Sequence, residues 1–234
     1  MRHSVCMATY NGEAVIVRQL KSILQQLNDD DEVIIIDDGS SDQTLMRINE
    51  LNDKRIKVQV NQQNMGPIKS FEKAIKLSQG EIIFLSDQDD CWYADKVATV
   101  ERRFKDSQVQ MVVHDARVVD GEGRELAPSW NAYNHNQLTT SVLRTIIKNP
   151  FTGSMMAFRQ SLCPLILPFP SHTSMHDEWI GLVLNKKHLK YSLIDQPLMD
   201  YYRYGTNVTA RRRKQPLVML KKRCRDLNDI IKYH

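Results

Sequence analysis

Two periodicities take turns along the first half of this 234-residue chain. Residues 4–9 (SVCMAT) form a short apolar run, and over 15–27 Ile16, Leu20, Ile23, Leu24 and Leu27 recur at the spacing of one helical face. Residues 32–36 (EVIII) are apolar at nearly every position, the pattern of a strand covered on both faces. Helical spacing returns over 41–51, with Ser40 or Ser41 available as the N-cap. The cycle then repeats as a strand over 56–60, a turn at Met65-Gly66-Pro67, a helix over 68–77, a strand over 81–86 (EIIFLS) and a helix over 95–104. A long strand over 109–119 closes the series.

Strand–helix alternation with two-sided apolar strands predicts an α/β fold, a Rossmann-like and mostly parallel central sheet flanked by helices. In such sheets ligands gather beyond the carboxyl ends of the strands. Thr9-Tyr10-Asn11 follows the first strand, Asp37-Asp38-Gly39-Ser40 the second, and Asp87-Gln88-Asp89-Asp90 the fourth. Parallel strands deliver all three polar turns to one rim, so the acids are expected to share a site.

The pattern loosens in the second half. Residues 121–137 are polar and turn-rich and read as a long loop. A strand is expected over 154–158, then a segment punctuated by Pro164, Pro168 and Pro170, then a helix over 176–187 with Asp177 and Glu178 in its first turn. Residues 189–194 and 198–202 read as two short strands.

An apolar share of 41% with 26% charged residues is that of a soluble globular protein. The four cysteines (Cys6, Cys91, Cys163, Cys224) form no CxxC pair, which argues against a zinc site or disulfide framework and for reduced thiols in a cytosolic protein. The start lacks the apolar run of a signal peptide, and no run of about 18 apolar residues would span a membrane. Charge is unevenly spread. Residues 210–234 hold nine basic side chains against Asp226 and Asp229, a local +7 within a formal total of +4, so the preceding body is mildly acidic. Behind the cluster Arg211-Arg212-Arg213-Lys214, Leu217, Leu220, Leu227, Ile230 and Ile231 are spaced as on an amphipathic helix. Such a basic tail suits anionic lipid at the inner face of the cell membrane. It equally suits a helix packed on the body, a dimer contact or the stub of a longer chain. Nucleic acid is not expected, since the body is acidic and no RNA-binding motif is present.

Residues 84–92 (FLSDQDDCW) crowd Asp87, Asp89 and Asp90 behind a buried strand. Two carboxylates about 4 Å apart near a protein surface repel by roughly 4 kcal/mol. A proton, solvent or a bound cation must offset that. In an extended segment Asp87 and Asp89 face the same way, which suits a hard divalent cation that shares its oxygen shell with substrate phosphates. A solvated acidic turn fits the spacing alone as well. Asp38, at a strand end, can accept hydrogen bonds from a base or ribose; helix capping by Ser40 or Asp42 needs no ligand, and both can hold because a cap leaves Asp38 free. Asp177 is either a proton acceptor or a favourable charge in a first helical turn. Trp179 either stacks on a sugar or fills the core.

Six segments occur in order: MATYNGEA (7–14), IIIDDGSSDQT (34–44), NMG (64–66), FLSDQDDCW, GSMMAF (153–158) and HDEW (176–179). Together, over about residues 3–207, they resemble glycosyltransferase family 2, the inverting nucleotide-sugar transferases of the GT-A fold. The DQDD-x-W form is similar to that family's bacterial rhamnosyltransferase-like branch. The resemblance implies a GT-A domain over 1–207, with a nucleotide-binding half (1–120) and an acceptor-binding half (121–207), followed by a basic C-terminal helical tail (208–234). It assigns Ala8, Thr9, Tyr10 and Glu13 to the nucleotide pocket and Asp38 to the base. Asp87-Gln88-Asp89 matches the DxD motif, with Asp87 and Gln88 on the nucleotide and Asp89, with Asp87, on Mg²⁺ or Mn²⁺. Asp177 takes the catalytic-base position, and His176, Trp179 and Arg203 become candidate donor or acceptor contacts. One departure stands out. Residues 201–207 read YYRYGTN, so Tyr204 occupies a position where related chains carry a histidine.

The implied function is cytoplasmic, metal-dependent, inverting transfer of a sugar from a nucleoside diphosphate to a polysaccharide or lipid-linked glycan of the cell envelope. The DQDD-x-W resemblance points to dTDP-L-rhamnose as donor. Two other classes stay open on the residues alone: a nucleotidyltransferase, and a non-catalytic module that binds nucleotide-sugars.

Overall fold

The computed structural model describes residues 1–204 and 216–233. Strands β1 (His3–Thr9), β2 (Glu32–Asp37), β3 (Ile56–Val60) and β4 (Ile82–Ser86) run parallel in the order β3-β2-β1-β4. Helices α1 (Ile16–Leu24), α2 (Thr44–Asn49) and α3 (Pro67–Leu77) make the crossovers. Strand alternation divides the core. Val5 and Met7 of β1 pack with Ile16, Leu20 and Ile23 of α1 on one side, while Cys6 joins Phe71, Ala74 and Ile75 of α3 on the other. Each fully buried Val, Leu, Ile, Met or Phe among them contributes roughly 1.5–3 kcal/mol. Gly66 enters α3 at φ +83°, a left-handed conformation that favours glycine, and Pro67 then starts the helix without wasting a donor.

The second half departs from the simple alternation. After a two-residue strand β5 (Cys91–Trp92) and helix α4 (Lys96–Arg103), the long strand β6 (Val109–Asp120) does not join β4. Strand β8 (Met156–Arg159) inserts between them, antiparallel to both. The expectation of a mostly parallel sheet therefore holds for the first four strands, and the sheet as a whole is mixed. Strand β9 (Lys190–Arg203) pairs parallel to β6 and antiparallel to β5. It is one strand where two were expected. Its pairing slips as Ile194 faces His114 and Pro197 faces Asp115, because proline lacks the N–H a regular ladder needs. The expected loop over 121–137 contains β7 (Glu125–Ala127), paired to β6, and helix α5 (Trp130–Tyr133), capped by the Ser129 hydroxyl. Elements of three or four residues leave no periodicity to read.

Of the residues offered as caps for α2, Asp42 rather than a serine meets the helix start. The Ser40 hydroxyl is spent on Asp37 and on the Asn11 amide, and the Thr44 amide donates to Asp42 Oδ1 at 3.0 Å. Helices α6 (Val142–Ile147), α7 (Cys163–Ile166) and α8 (His176–Lys186) cover one side of the sheet. Helix α9 (Pro216–Lys232) packs on α8: Ile230 is buried, Lys222 bridges Glu178 and Asp226, and the Tyr233 hydroxyl donates to the Leu165 carbonyl at 2.8 Å. Of the tail readings, the described helix shows packing on the body. The Arg211–Lys214 cluster and the boundary between 207 and 208 lie outside the described residues.

Candidate active site

Register brings the polar turns together. Thr9 lies opposite Asp37 and Met7 opposite Ser86, so the tips of β1, β2 and β4 share one rim. Gln88 ties two of them. Its Oε1 accepts from the Tyr10 amide at 2.9 Å and the Thr9 hydroxyl at 2.5 Å, and its Nε2 donates to the Tyr10 carbonyl at 3.2 Å. Its amide is thus engaged within the protein, and Ala8, one residue before Thr9, is half-buried. Asp38 is buried and already accepts from Asn61 Nδ2 (2.8 Å) and from the Met65 (2.9 Å) and Gly66 (2.7 Å) amides. A carboxylate offers about four lone-pair directions, which leaves about one for a ligand. Glu13 Oε2 accepts the Gln43 amide at 2.8 Å, at the start of α2. Tyr10 stands 47% exposed on the rim.

The acidic turn raises its own proton affinity. Burial, then the charges of Asp89 and Asp177, push Asp87 up to about 7. Asp89 is raised by burial while the nearby Arg18 charge opposes the rise. Asp90 is fully buried and raised further, by burial and then by both neighbours. Beneath them lies Lys96, 1% exposed, with Nζ donating to the Ser154 carbonyl at 3.0 Å and sitting 3.9 Å over the Trp92 ring. Burial lowers its proton affinity, and the charges of Asp90 and Asp87 counter that. Carboxyls whose proton affinity is raised first by burial, and for Asp87 and Asp90 also by their neighbours' charge, fit a divalent cation, which would take the protons' place. Mg²⁺ is commonly held by one or two carboxylates with phosphate oxygens completing its shell, and Asp87 and Asp89 supply such a pair. Among the described residues no group of three or more His, Cys, Asp or Glu side chains is arranged to hold a metal alone.

Asp177 comes from α8 to the same neighbourhood, close enough for its charge to raise Asp87. It is 3% exposed, and burial is the main cause that lifts it to about 7. The Glu178 amide (2.6 Å), Asn149 Nδ2 (3.2 Å) and the Gly153 amide (3.2 Å) donate to it and fix its direction. A carboxylate that titrates near neutrality suits proton abstraction.

The other three candidates lie differently. His176 is half-buried, its ring stacked on Phe71 at 4.2 Å between centroids, and desolvation lowers it to about 4, so the ring is neutral at pH 7. Trp179 is 6% exposed; its N–H donates to the Ile166 carbonyl and Tyr233 packs edge-on against it. It fills the core between α8 and α9 rather than presenting a face for sugar stacking. Arg203 lies against Tyr133, with Nη1 3.3 Å from its hydroxyl. Sequence reasoning missed Lys96, Arg18 and Asn149. A lysine opening a helix and a polar residue on an amphipathic helix carry no signal that they turn inward, and Asn149 sits in an unpatterned loop.

A mixed sheet with strand tips and acids gathered on one rim defines the GT-A fold. The crystal structure of S. aureus TarS 1-349 in complex with UDP-GlcNAc superposes with a TM-score of 0.77 at 20% identity, covering 100% of this chain and 67% of that one. The mannosyltransferase PcManGT from Pyrobaculum calidifontis in complex with GDP-Man and Mn²⁺ gives 0.63 at 20% identity, over 97% of this chain and 62% of that one. Residues 4–167 match Glycosyl transferase family 2, and the chain belongs to that family. The Escherichia coli UDP-Glc:alpha-D-GlcNAc-diphosphoundecaprenol beta-1,3-glucosyltransferase WfgD is 28% identical over 159 residues, 64% of this chain and 62% of that protein. The Shigella flexneri dTDP-rhamnosyl transferase RfbG is 42% identical over 99 residues, 39% of this chain and 34% of that protein. The match thus spans less than two thirds of either relative's length.

Proposed function

We propose that this protein transfers a sugar from a nucleoside diphosphate to an acceptor hydroxyl, with inversion at the anomeric carbon. The observation that carries it is the convergence of Asp87, Asp89 and Asp177, from the end of β4 and the start of α8, beside the tips of β1 and β2. The rim residues Thr9, Tyr10 and Asp38 would bind the nucleoside, and Asp89 with Asp87 would hold Mg²⁺ or Mn²⁺ on the diphosphate. The bound cation supplies charge neutralisation to the departing diphosphate. The chain's own chemical step is proton removal. The acceptor oxygen forms its bond to the anomeric carbon as the carbon–phosphate-oxygen bond breaks, and the hydroxyl proton passes to Asp177. Attack opposite the leaving group inverts the centre.

The RfbG similarity favours dTDP-L-rhamnose among donors, and the WfgD similarity favours a lipid-linked glycan as acceptor. A lipid-linked acceptor would call for peripheral membrane contact. Leu220, Leu227 and Ile231 are exposed on α9 beside exposed Lys221, Arg225 and Lys232, which supports contact with an anionic surface. Among the described residues no helix is long and apolar enough to cross a membrane.

The test is a screen of nucleotide-sugars for thermal stabilisation, with and without Mn²⁺. A true donor at about 100 times its Kd adds about 2.7 kcal/mol and should do so only with the metal present. If no nucleotide-sugar stabilises the protein under either condition, the reading is wrong.

A further inference from the structure

Arg18 projects from α1 to the acidic turn. Its Nη2 donates to the Asp89 carbonyl and, at 3.0 Å, to the Tyr204 hydroxyl; its Nε lies 3.4 Å from the Asp90 carbonyl. The guanidinium carbon sits 3.6 Å from the centroid of the Tyr202 ring, and Tyr202 and Tyr204 stack at 6.0 Å with 13° between planes. Three segments far apart in sequence therefore meet on one side chain: the first helix, the turn after β4 and the end of β9. The sheet does not hold this turn. Ladder pairing stops at Ser86 and resumes at Cys91 on the edge of β9. Residues 87–90 are held by side-chain contacts, the turn's own Gln88 reaching out to the Tyr10 backbone at one end and Arg18 reaching in to the Asp89 and Asp90 carbonyls at the other.

We propose that Arg18 is a positioning residue for the donor site, holding the backbone of Asp89 and Asp90 against the Tyr202–Tyr204 pair so that the carboxylates of Asp87 and Asp89 keep the direction in which they meet the diphosphate. The proposal rests on the reading of those two acids as the donor-binding pair. The Tyr204 hydroxyl accepts from Arg18, so it anchors the clamp. Arginine fits this task because its planar fork presents five donors and a face for an aromatic ring, whereas lysine is a point charge that cannot spread across four partners.

The experiment compares wild type with Arg18→Met, Arg18→Lys, Tyr204→Phe and the Arg18→Met/Tyr204→Phe pair. Amide hydrogen exchange is read without ligand, and Kd for the best-stabilising nucleotide-sugar is read with Mn²⁺. Arg18→Met should speed exchange across residues 87–92 about tenfold while leaving β1–β3 unchanged. It should also raise the donor Kd roughly tenfold or more, the scale of an outer-shell partner. Tyr204→Phe should move both readouts the same way but less, Arg18→Lys should fall between, and the pair should be no worse than Arg18→Met. Exchange unchanged at 87–92, or a uniform rise across the sheet with an unchanged Kd, would overturn the clamp and leave Arg18 a packing residue. Additive effects in the pair would overturn the Tyr204 link. A wild type that binds no nucleotide-sugar removes only the donor reading, and exchange at 87–92 still decides whether Arg18 holds the turn.

Discussion

Gln88 closes on the backbone of Tyr10 with both ends of its amide, accepting the Tyr10 N–H at 2.9 Å and donating to the Tyr10 carbonyl at 3.2 Å. This pairing joins the tip of β1 to the tip of β4, where no strand ladder remains to do so. Gly12 sits under it: a Cβ there would lie 2.5 Å from Gln88 Oε1. Gly12→Ala should therefore push the Gln88 side chain off Tyr10, a cheap displacement of a flexible end. Donor affinity should fall about tenfold, the loss of about 1.4 kcal/mol, with Tm nearly unchanged. Gln88→Ala should fall by a similar factor, and the double variant no further. Calorimetric titration of donor against the three variants reads this directly.

Asp177→Asn should spare donor binding and remove turnover. Loss of a positioned general base costs typically 10²–10⁴-fold in rate, so kcat should drop on about that scale while donor Kd stays within about twofold. Steady-state kinetics beside a binding titration separates the two. A normal kcat with folding intact would show that Asp177 is not the base.

The pH dependence follows from Asp177 and Asp87, both raised to about 7. Below about pH 4 each carboxyl carries its proton in folded and unfolded chains alike. Between about 4 and 7 only the folded protein keeps the proton, so the unfolded state binds fewer and stability falls as pH rises through this window. Melts from pH 4 to 8 should show the Tm of wild type falling relative to that of Asp177→Asn, a comparison that cancels the opposing contribution of His176, which burial lowers to about 4. Activity should run the other way, kcat/KM rising toward pH 7 as the base loses its proton. Saturating Mn²⁺ should move the Asp87 contribution to lower pH, since metal and proton compete for one carboxylate.

Helix α9 is fastened by Lys222, whose ammonium bridges Glu178 and Asp226. Glu178 is 3% exposed, so removing Lys222 takes a charge-assisted hydrogen bond from a buried carboxylate. Lys222→Met should cost about 2 kcal/mol, less than a fully buried pair would because Lys222 is partly solvated. Limited proteolysis should then cut within 216–233 faster than in the wild type.

The first four strands and three helices were legible because each carries enough residues to display a period. The places of Asp87 and Asp89 behind a strand and of Asp177 at a helix start were legible too, while the roles proposed for them rest on their resemblance to a family pattern. What escaped was set by tertiary direction. β8 reads as a strand in sequence, yet nothing in its four residues says that it runs backwards between β4 and β6. His176 and Trp179 stand beside Asp177 in sequence but point into the core, because 100° of helical turn per residue separates their directions. Arg18 looks like a surface arginine between Ile16 and Leu20 until the acidic turn arrives on top of it.

Product analysis with the best-stabilising nucleotide-sugar, Mn²⁺ and a glycan acceptor tests the catalytic reading most directly. Wild type should release nucleoside diphosphate in step with glycosylated acceptor, and Asp89→Asn or chelation should abolish both while the fold persists. Pyrophosphate among the products, or unchanged transfer after chelation, would contradict it.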